Sequence, residues 1–570
     1  MKKLIPSIIF IFSLVAVFTA CDTTPPLEKL GDVVSAKYNP TTKSFVVTYS
    51  SGTEKTFAAV VDTKNDPPTA SYALDDKTYL YVADATVAGD ATISTDVNRV
   101  SQFVYDGLSL YYLWADNMTN KKPTLKDVDP EKYFESVLYS LDTQHGWSWM
   151  TDDAEGLMAE FSGESTSSFG FAPFVLWTDN TKTQLVAFVR YVFPNTPASE
   201  AGLTRGDIIT KIDGQNITLS NYMKVYGASS AVTFTVYDQH MQNAKQLSIT
   251  PRTVNTDPVL FSKIYEIGGK KIGYLFYTDF ISDYNQSLYN AFSAFKQAGV
   301  TDLVLDLRYN HGGAVTAATY LSSLIAPRSA VQNKSVFTIM SYNNTLNTYF
   351  DRQGWSRSDS LGVYDKTESN PLDANLDLSK IYIIATGSSY SASELTTFCL
   401  APFMNVIHIG ENTGGKFTAS WTLHAYKSFP DKNGNNRAIP IYDEADLTAS
   451  EKTKLANWAM QPIVAKYTDK DNNSFESPGY LVPDYAVPTE EYNPATWVPI
   501  GDTSDYLFAK AISLITGQTL SATRSVPATR MVDANLFSPR GEKIKESVNL
   551  DNIKLSPQDI KNIRELLQKN

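Results

Sequence analysis

The sequence predicts a multidomain α/β protein, and four observations support this prediction. A chain of 570 residues is longer than one hydrophobic core usually serves, so several domains of about 150 residues each are expected. Short β runs separated by turn residues occupy residues 28–97, which indicates an N-terminal, immunoglobulin-like β-sandwich. Apolar residues recur at threes and fours over residues 98–164, the spacing of helices. Strands then alternate with helices over residues 258–500, which is typical of an α/β domain.

The N-terminus has the features of an export signal. Two lysines precede an apolar stretch of 15 residues, Leu4–Phe18, which is too short for a membrane-spanning helix. Residues 1–20 are therefore predicted to be a signal peptide. The small residues before Cys21 resemble a bacterial lipoprotein signal, which implies a lipid on Cys21, a tether over residues 21–27, and a lipid-anchored location in the cell envelope. A plain secretory signal is the alternative, because Phe18 stands where lipoprotein signals usually carry leucine.

Composition argues against several function classes. The formal net charge is −12, and an acidic surface repels phosphate backbones, so nucleic acid is not an expected partner. Only two cysteines occur; if Cys21 carries lipid, Cys399 has no partner and the fold has no disulfide. The five histidines are scattered and form no metal-binding motif. No metal or other cofactor is expected.

Residues 165–252 resemble a PDZ domain. The segments that carry the resemblance are Pro197–Ile209 and Ile212–Gln215, in which glycines permit tight turns between short strands. In PDZ domains a glycine-containing loop holds the terminal carboxylate of a peptide through successive backbone N–H groups. The resemblance implies that this loop comprises Ser168, Phe169, Gly170 and Phe171. Polypeptides bound through their C-termini are the expected partners, and a PDZ-shaped spacer with a closed groove is the alternative.

A serine-rich turn marks a candidate catalytic site. In the segment Ile383–Glu394, an apolar strand stops in small residues and leads into a helix, which places Ser391 at the helix N-terminus. The unpaired N–H groups and the positive dipole end at such a position can stabilise an oxyanion. Serine is also common at turns and helix caps. The turn gains significance from a second segment, Ile409–Lys416, whose lysine lies 25 residues beyond the serine.

Together these two segments resemble the C-terminal processing peptidases, which have a Ser-Ala-Ser-Glu turn followed by a Gly-Lys pair. The resemblance implies a crotonase-like α/β core in which Ser391 is the nucleophile and Lys416 the general base. A serine hydroxyl attacks poorly until a base accepts its proton, and a lysine accepts one only when it is neutral, a form that burial favours. The family often has a glutamine four residues after the lysine to orient it. Ser420 stands there, and its hydroxyl can still accept a hydrogen bond from the lysine.

The oxyanion hole is predicted from a third segment, Asp306–Gly313, at the end of a buried strand. It resembles the family's Asp-Leu-Arg-Asn-Asn-Pro-Gly-Gly loop, with His311 in place of proline as a loop variant. The resemblance implies that a backbone N–H of Gly312 or Gly313 acts with that of Ala392. Glycine suits this task because a bare backbone can approach a carbonyl oxygen closely. An ordinary strand-end turn is the alternative.

These features predict a serine endopeptidase that hydrolyses unfolded or tail-exposed proteins with help from its PDZ domain. Residues 98–164 form its helical N-terminal part, residues 258–500 its catalytic domain, and residues 501–570 a C-terminal helical extension. A Ser-x-x-Lys pattern at Ser293–Lys296 resembles the penicillin-recognising enzymes, but no Lys-Thr-Gly follows it. The main alternative is a non-catalytic, PDZ-bearing peptide-binding lipoprotein. It is disfavoured because both the nucleophile and the base are present.

Overall fold

The structure, a computed structural model, describes residues 30–64, 67–118, 120–178, 181–431, 434–487, 494–518, 532–533, 548–549 and 555–569. The chain divides into two compact units, one ending at Asp96 and the other beginning at Val97. The predicted signal peptide, the lipidation site Cys21 and the predicted tether lie outside the described residues. In the part of the chain that is described, no helix has the length and apolar character needed to cross a membrane.

The first unit consists of two antiparallel four-stranded sheets. Its strands are β1 (Val33–Asn39), β2 (Ser44–Tyr49), β3 (Glu54–Ala58), β4 (Val60–Asp62), β5 (Thr69–Ala73), β6 (Tyr79–Val82), β7 (Gly89–Asp90) and β8 (Thr92–Ser94). They pair in the orders β3-β2-β1-β7 and β4-β5-β6-β8. Side chains from both sheets, including Tyr38, Phe45 and Leu80, share one core, because alternate residues of a strand point to the same face. The predicted N-terminal β region is confirmed.

A helical segment opens the second unit, as predicted. Its elements are α1 (Arg99–Tyr111), α2 (Pro130–Val137), α3 (Ser140–His145), β9 (Trp149–Thr151) and α4 (Ala154–Phe161). Helix α1 begins after Asn98, whose side chain accepts hydrogen bonds from the N–H groups of Val100 and Ser101. The buried face of α1, which includes Phe103 and Leu108, packs into the large core that the catalytic region also uses.

The region predicted as a PDZ domain is an antiparallel β unit with its own core. Its elements are β10 (Glu164–Ser168), β11 (Phe171–Trp177), β12 (Leu185–Val192), α5 (Pro197–Glu200), β13 (Ile208–Ile212), β14 (Gln215–Asn216), β15 (Val232–Tyr237), β16 (Lys245–Ile249) and β17 (Arg252–Asn255). The main sheet contains the order β16-β15-β13-β12-β11. Phe169, Ile209 and Phe234 lie in its core, which is separate from that of the catalytic region.

The catalytic region is built on a six-stranded sheet. Its elements as far as residue 487 are β18 (Val259–Ile267), β19 (Lys270–Tyr277), α6 (Asn285–Ala298), β20 (Asp302–Asp306), α7 (Val315–Ile325), α8 (Arg328–Gln332), β21 (Val336–Tyr342), α9 (Asn344–Gln353), β22 (Ser358–Ser360), α10 (Pro371–Ala374), β23 (Lys380–Ala385), α11 (Ala392–Leu400), β24 (Asn405–Gly410), β25 (Thr418–Ser420), β26 (Leu423–His424), β27 (Ile439–Pro440), α12 (Ala449–Leu455), β28 (Ala459–Gln461), β29 (Ile463–Asp469) and β30 (Tyr485–Ala486). The order is β18-β19-β20-β23-β24-β30. All neighbours in this sheet are parallel except β18 and β19.

This sheet brings the two predicted catalytic loops together. Strands β20 and β23 are parallel neighbours, with Asp306 opposite Ile384. Parallel strands end at the same sheet edge, the edge at which open α/β folds bind ligands. The glycine loop that follows Asp306 and the serine turn that follows Ala385 therefore lie side by side.

The last part of the chain contributes to several sheets and cores. Its described elements are α13 (Tyr506–Thr516), β31 (Val532–Asp533), β32 (Val548–Asn549) and α14 (Pro557–Lys569). Helix α13 packs Leu507, Phe508 and Ile512 against the six-stranded sheet. Strand β31 pairs with β11, and β32 pairs with β25. Residues 501–570 are predicted as a helical extension. Their described part contains two helices and also two short strands, which pair with strands formed by earlier residues.

Candidate active site

Ser391 occupies the turn between β23 and α11 in a strained conformation. It is the N-cap residue of α11, and its φ of 59° lies in a region that residues with a Cβ rarely adopt. The side chain is 0% exposed. Its Oγ forms no hydrogen bond with any residue that the structure describes. The hydroxyl is therefore buried at a helix N-terminus.

Lys416 lies between β24 and β25 and is also 0% exposed. Glu394, in the first turn of α11, joins its loop to the serine turn. Carboxylate oxygen Oε2 accepts the backbone N–H groups of Ser391 and Lys416, each at 2.8 Å. Oxygen Oε1 accepts the N–H of Gly415 at 2.8 Å and the hydroxyl of Thr413. The backbones of the predicted nucleophile and base are thus held close together by one carboxylate.

Tyr467 makes a second link between the two loops. Its hydroxyl lies 2.8 Å from the carbonyl oxygen of Lys416 and 3.3 Å from that of Ser391. Burial, and then the Glu394 charge, hold the pKa of Tyr467 well above its ordinary value, so the hydroxyl remains a neutral donor. Burial also raises the pKa of Glu394, while the hydrogen bonds that its carboxylate accepts act in the opposite direction.

Gly312 packs directly against the serine turn. A Cβ on Gly312 would lie 2.8 Å from Ser391 Cβ and 3.0 Å from Ala392 N, and its φ of 108° favours glycine. Its N–H donates to Asn310 Oδ1 at 2.8 Å, which leaves Gly313 as the better candidate for an oxyanion donor. Ala392 is the first residue of α11, so its N–H has no acceptor within the helix.

Ser420 is buried on β25 and contacts a glutamine from another strand. Its hydroxyl donates to Gln461 Oε1 at 3.4 Å, and Gln461 Nε2 donates to Thr422 Oγ1 at 2.8 Å. Gln461 ends β28 and is 0% exposed. A glutamine therefore lies beside the position at which the C-terminal processing peptidases often carry one, although it comes from a later part of the chain.

A buried carboxylate from the helical segment, Asp142, adds to the electrostatics around the lysine. It accepts hydrogen bonds from the Tyr112 hydroxyl at 2.7 Å and from the N–H of Ser148 at 2.8 Å. Burial raises the pKa of Asp142, whereas these bonds and the charge of Lys416 act in the opposite direction. Ser148 Oγ accepts the N–H of Ile463 at 2.8 Å, which attaches this group to β29.

The predicted peptide-binding loop, Ser168–Phe171, connects β10 and β11. Phe169 is buried in the core of this region, and the φ of Gly170 is 83°. The N–H of Gly170 donates to Ser168 Oγ at 3.1 Å. Strand β11 also pairs with β31 near its far end, so the chain's own tail covers part of the edge that strand addition would use.

The described residues offer no metal site. Within them, no group of three or more His, Cys, Asp or Glu side chains is arranged to bind a metal ion. Cys399 is a free, buried cysteine, and burial raises the pKa of its thiol, which disfavours the reactive thiolate.

Comparison with known proteins assigns the family. Residues 271–487 match peptidase family S41, residues 99–149 match the S41 N-terminal domain, and residues 188–225 match a PDZ domain. Residues 271–487 thus form a serine peptidase domain of family S41. The longest of the three matches contains both Ser391 and Lys416, and the predicted PDZ domain is confirmed.

The relatives of this chain are distant. It is 24% identical over 328 residues to a carboxyl-terminal-processing protease from Picosynechococcus sp., a match that covers 57% of this chain and 65% of the relative. It is 25% identical over 240 residues to a chloroplastic C-terminal processing peptidase from Tetradesmus obliquus, covering 39% and 46%. The chain thus spans about half to two thirds of the length of these relatives. A solved structure from Bacteroides fragilis assigned to the S41 proteases has the same fold, with a TM-score of 0.55, 23% identity, and coverage of 73% of this chain and 97% of that one.

Three buried side chains of the candidate site have no role in the sequence-based prediction. Glu394 is visible as the acidic residue of a Ser-x-x-Glu capping pattern, which signals a helix start and says nothing about a second loop. Tyr467 and Gln461 lie on β29 and β28, far along the chain from the serine turn. No spacing rule in the sequence relates them to it.

Proposed function

We propose that this chain is a serine endopeptidase that cleaves polypeptides through an acyl-enzyme on Ser391, with Lys416 as the general base. The observation that carries the proposal is the Glu394 carboxylate. It binds the backbone of both residues and so fixes a buried serine beside a buried lysine. The names of the Picosynechococcus and Tetradesmus relatives support the same reaction type.

The burial of both groups suits this chemistry. Lys416 is 0% exposed, and burial disfavours the ammonium form, so the neutral amine is available as a base. The amine takes the Oγ proton of Ser391 as the oxygen attacks the scissile carbonyl, and it gives that proton to the leaving amine. Water then hydrolyses the acyl-enzyme with the same lysine as base. The rate of hydrolysis should therefore rise with pH as the lysine loses its proton.

The oxyanion is stabilised by the backbone N–H groups of Gly313 and Ala392, one from each loop at the sheet edge. Backbone donors that are already in place act without reorganisation, which is the main advantage of an oxyanion hole. In this proposal Ser420 orients the lysine together with Gln461, and the support is the hydrogen bond from the Ser420 hydroxyl to Gln461.

Substrates are unfolded or tail-exposed proteins whose C-terminal carboxylate binds the loop Ser168–Phe171. Because Ser391 and Lys416 are both 0% exposed, a peptide reaches the serine only after the surrounding side chains move. A lipid on Cys21 would hold the enzyme in the cell envelope, on the periplasmic or the outer surface, and would be its only attachment to the membrane.

Labelling with a serine-directed fluorophosphonate tests the proposal. The reagent forms a bond to an activated serine Oγ, so intact mass should rise by one adduct in the wild type and not in Ser391→Ala. Peptide mapping should place the adduct on Ser391. Absence of an adduct at every pH would contradict the proposal and favour the non-catalytic peptide-binding protein.

A further inference from the structure

A large cavity adjoins the proposed site. It has a volume of about 560 Å³, within the range of roughly 300–1,000 Å³ that is usual for ligand pockets. Its wall includes Gly313 and Ala314 from the glycine loop and Gln461 from β28. Gly313 is the proposed oxyanion donor, and Gln461 contacts Ser420. The cavity therefore extends to two residues of the proposed site, Gly313 and Gln461.

The wall of the cavity is strongly acidic. Among the described residues that line it, eight carry carboxylates and one, Arg437, carries a guanidinium. Arg437 forms an ion pair with Asp283 at 2.8 Å, so it offsets little of the remaining negative charge. The acids belong to separate segments of the chain, for example Glu164, Asp359 and Asp431. A cleft lined by charges of one sign concentrates the field inside it and attracts ions of the opposite sign.

Neutral amides hold several of these carboxylates in place. Asn285 Nδ2 donates to Glu368 at 2.9 Å, and Asn435 Nδ2 lies 3.2 Å from Asp431 and 3.4 Å from Asp365. An amide orients a carboxylate and leaves its charge in place. The negative field is also felt by Tyr320, whose pKa is raised by burial and then by the Glu368 carboxylate.

Two buried polar atoms on the same wall have no hydrogen-bond partner in the described part of the chain. They are Trp149 Nε1 and Thr319 Oγ1, and both residues line the cavity. Trp149 is 8% exposed and Thr319 is 4% exposed. Buried polar groups are nearly always hydrogen-bonded. The indole N–H and the hydroxyl can therefore form hydrogen bonds with the backbone of a bound peptide.

We propose that this cavity binds a basic side chain of the substrate, so that polypeptides with arginine or lysine close to the scissile bond are preferred. The inference rests on the proposed peptidase function. Carboxylates bind guanidinium and ammonium groups through charge-assisted hydrogen bonds. Trp149 and Thr319 would bind the peptide backbone beside the basic residue.

The test compares fluorescent peptides that differ only in arginine or its neutral isostere citrulline, with the substitution moved through every position. Binding to full-length Ser391→Ala protein is measured by fluorescence anisotropy, so hydrolysis does not affect the result. At one position arginine should bind about tenfold more tightly than citrulline, and added salt should reduce this advantage. It should vanish when Asp365→Asn and Glu368→Gln are combined. Glu266→Gln, a change of an exposed carboxylate outside the cavity wall, should preserve it.

Equal affinity for the two peptides at every position would overturn the inference, as would an arginine advantage that is insensitive to salt or unchanged in the double variant. If the double variant misfolds, it will also lose its affinity for the citrulline peptides. In that case the salt dependence of the arginine advantage, measured on the Ser391→Ala protein, tests the inference by itself. Hydrolysis by the wild type is measured separately. An arginine preference in binding without cleavage would reject the peptidase function and retain the cationic site.

Discussion

Glu394 lies in the first turn of a helix, where the helix dipole favours an acidic side chain. Its carboxylate also accepts hydrogen bonds from the backbones of two loops. It accepts the N–H groups of Ser391, Gly415 and Lys416. A carboxylate is needed because every partner is a donor and both oxygens are used. This side chain therefore holds the serine turn and the Lys416 loop together in one site.

Replacing Glu394 by glutamine should uncouple the two loops. The variant keeps the size of the side chain but turns one acceptor into an NH₂ group, which leaves two of the present donors without a partner. We expect the free energy of unfolding to fall by about 3 kcal/mol and kcat to fall by about 100-fold. Urea unfolding and peptide hydrolysis measure the two effects. Glu476→Gln on the surface is the control, and an unchanged kcat in Glu394→Gln would contradict the account.

Gly312→Ala tests the close contact between the glycine loop and the serine. The added methyl would lie 2.8 Å from Ser391 Cβ, so the serine turn has to shift. We expect kcat to fall by about 100-fold, since a displacement of about 1 Å has that effect. Gly299→Ala is the matched control, because Gly299 also has a positive φ, of 71°, but nothing lies near its Cβ position. Equal losses of kcat in the two variants would show that backbone strain, and not the contact, is responsible.

Residues that belong to continuous motifs could be predicted from the sequence. Ser391, Lys416 and the paired glycines each stand in a short segment with a local chemical rationale, and the structure brings these segments together. The supporting residues could not be predicted, because their roles depend on strand pairing. Gln461 reaches Ser420 only because β28 ends beside β25, and Asp142 approaches the lysine from a helix that precedes the PDZ domain.

Among the helices and strands, the hydrophobic pattern correctly predicted the alternation of strands and helices in the catalytic region. Helix α7, Val315–Ile325, is apolar and buried along nearly its whole length, and such a run belongs to the alternation of strands and helices that predicts an α/β domain. Two-residue strands such as β31 and β32 have no sequence period, so only the structure reveals that they join sheets formed by distant segments.

Helix α13 is fastened to the catalytic sheet by a buried ion pair. Arg308, two residues beyond the end of β20, donates to Asp505 at 2.8 Å, and both side chains are nearly inaccessible. Asp505 is also the N-cap of α13. Burial acts to raise the pKa of Asp505, but the Arg308 charge and the N–H of Phe508 hold it below its ordinary value.

Asp505→Asn should therefore destabilise the fold in a pH-dependent way. Because the pKa of Asp505 is depressed in the folded state, its contribution is complete above the ordinary carboxyl pKa of about 4 and is lost as pH falls below it. At neutral pH we expect a loss of about 3–5 kcal/mol, with a smaller difference between variant and wild type in acid. Chemical unfolding at several pH values measures this loss of unfolding free energy. The control is Asp502→Asn, a change of an exposed residue. A loss that is the same at all pH values would contradict the charge-based account.

At the scale of the whole molecule, the order of β region, helical segment, PDZ domain and α/β core was predictable, because each has a distinct periodicity or motif. The location in the cell envelope remains a prediction from the first residues. The contribution of the tail was not predictable. It returns to the PDZ sheet through β31, to the catalytic region through β32 and α13, and to the core that α1 shares through α14.

Hydrolysis of an unfolded protein by the wild type, Ser391→Ala and Lys416→Ala, followed across a range of pH, tests the central claim most directly. The account predicts that the wild type cleaves with a rate that rises with pH, and that either substitution lowers kcat by at least about 1,000-fold. Equal cleavage by all three proteins, or a wild-type rate that does not change with pH, would contradict it.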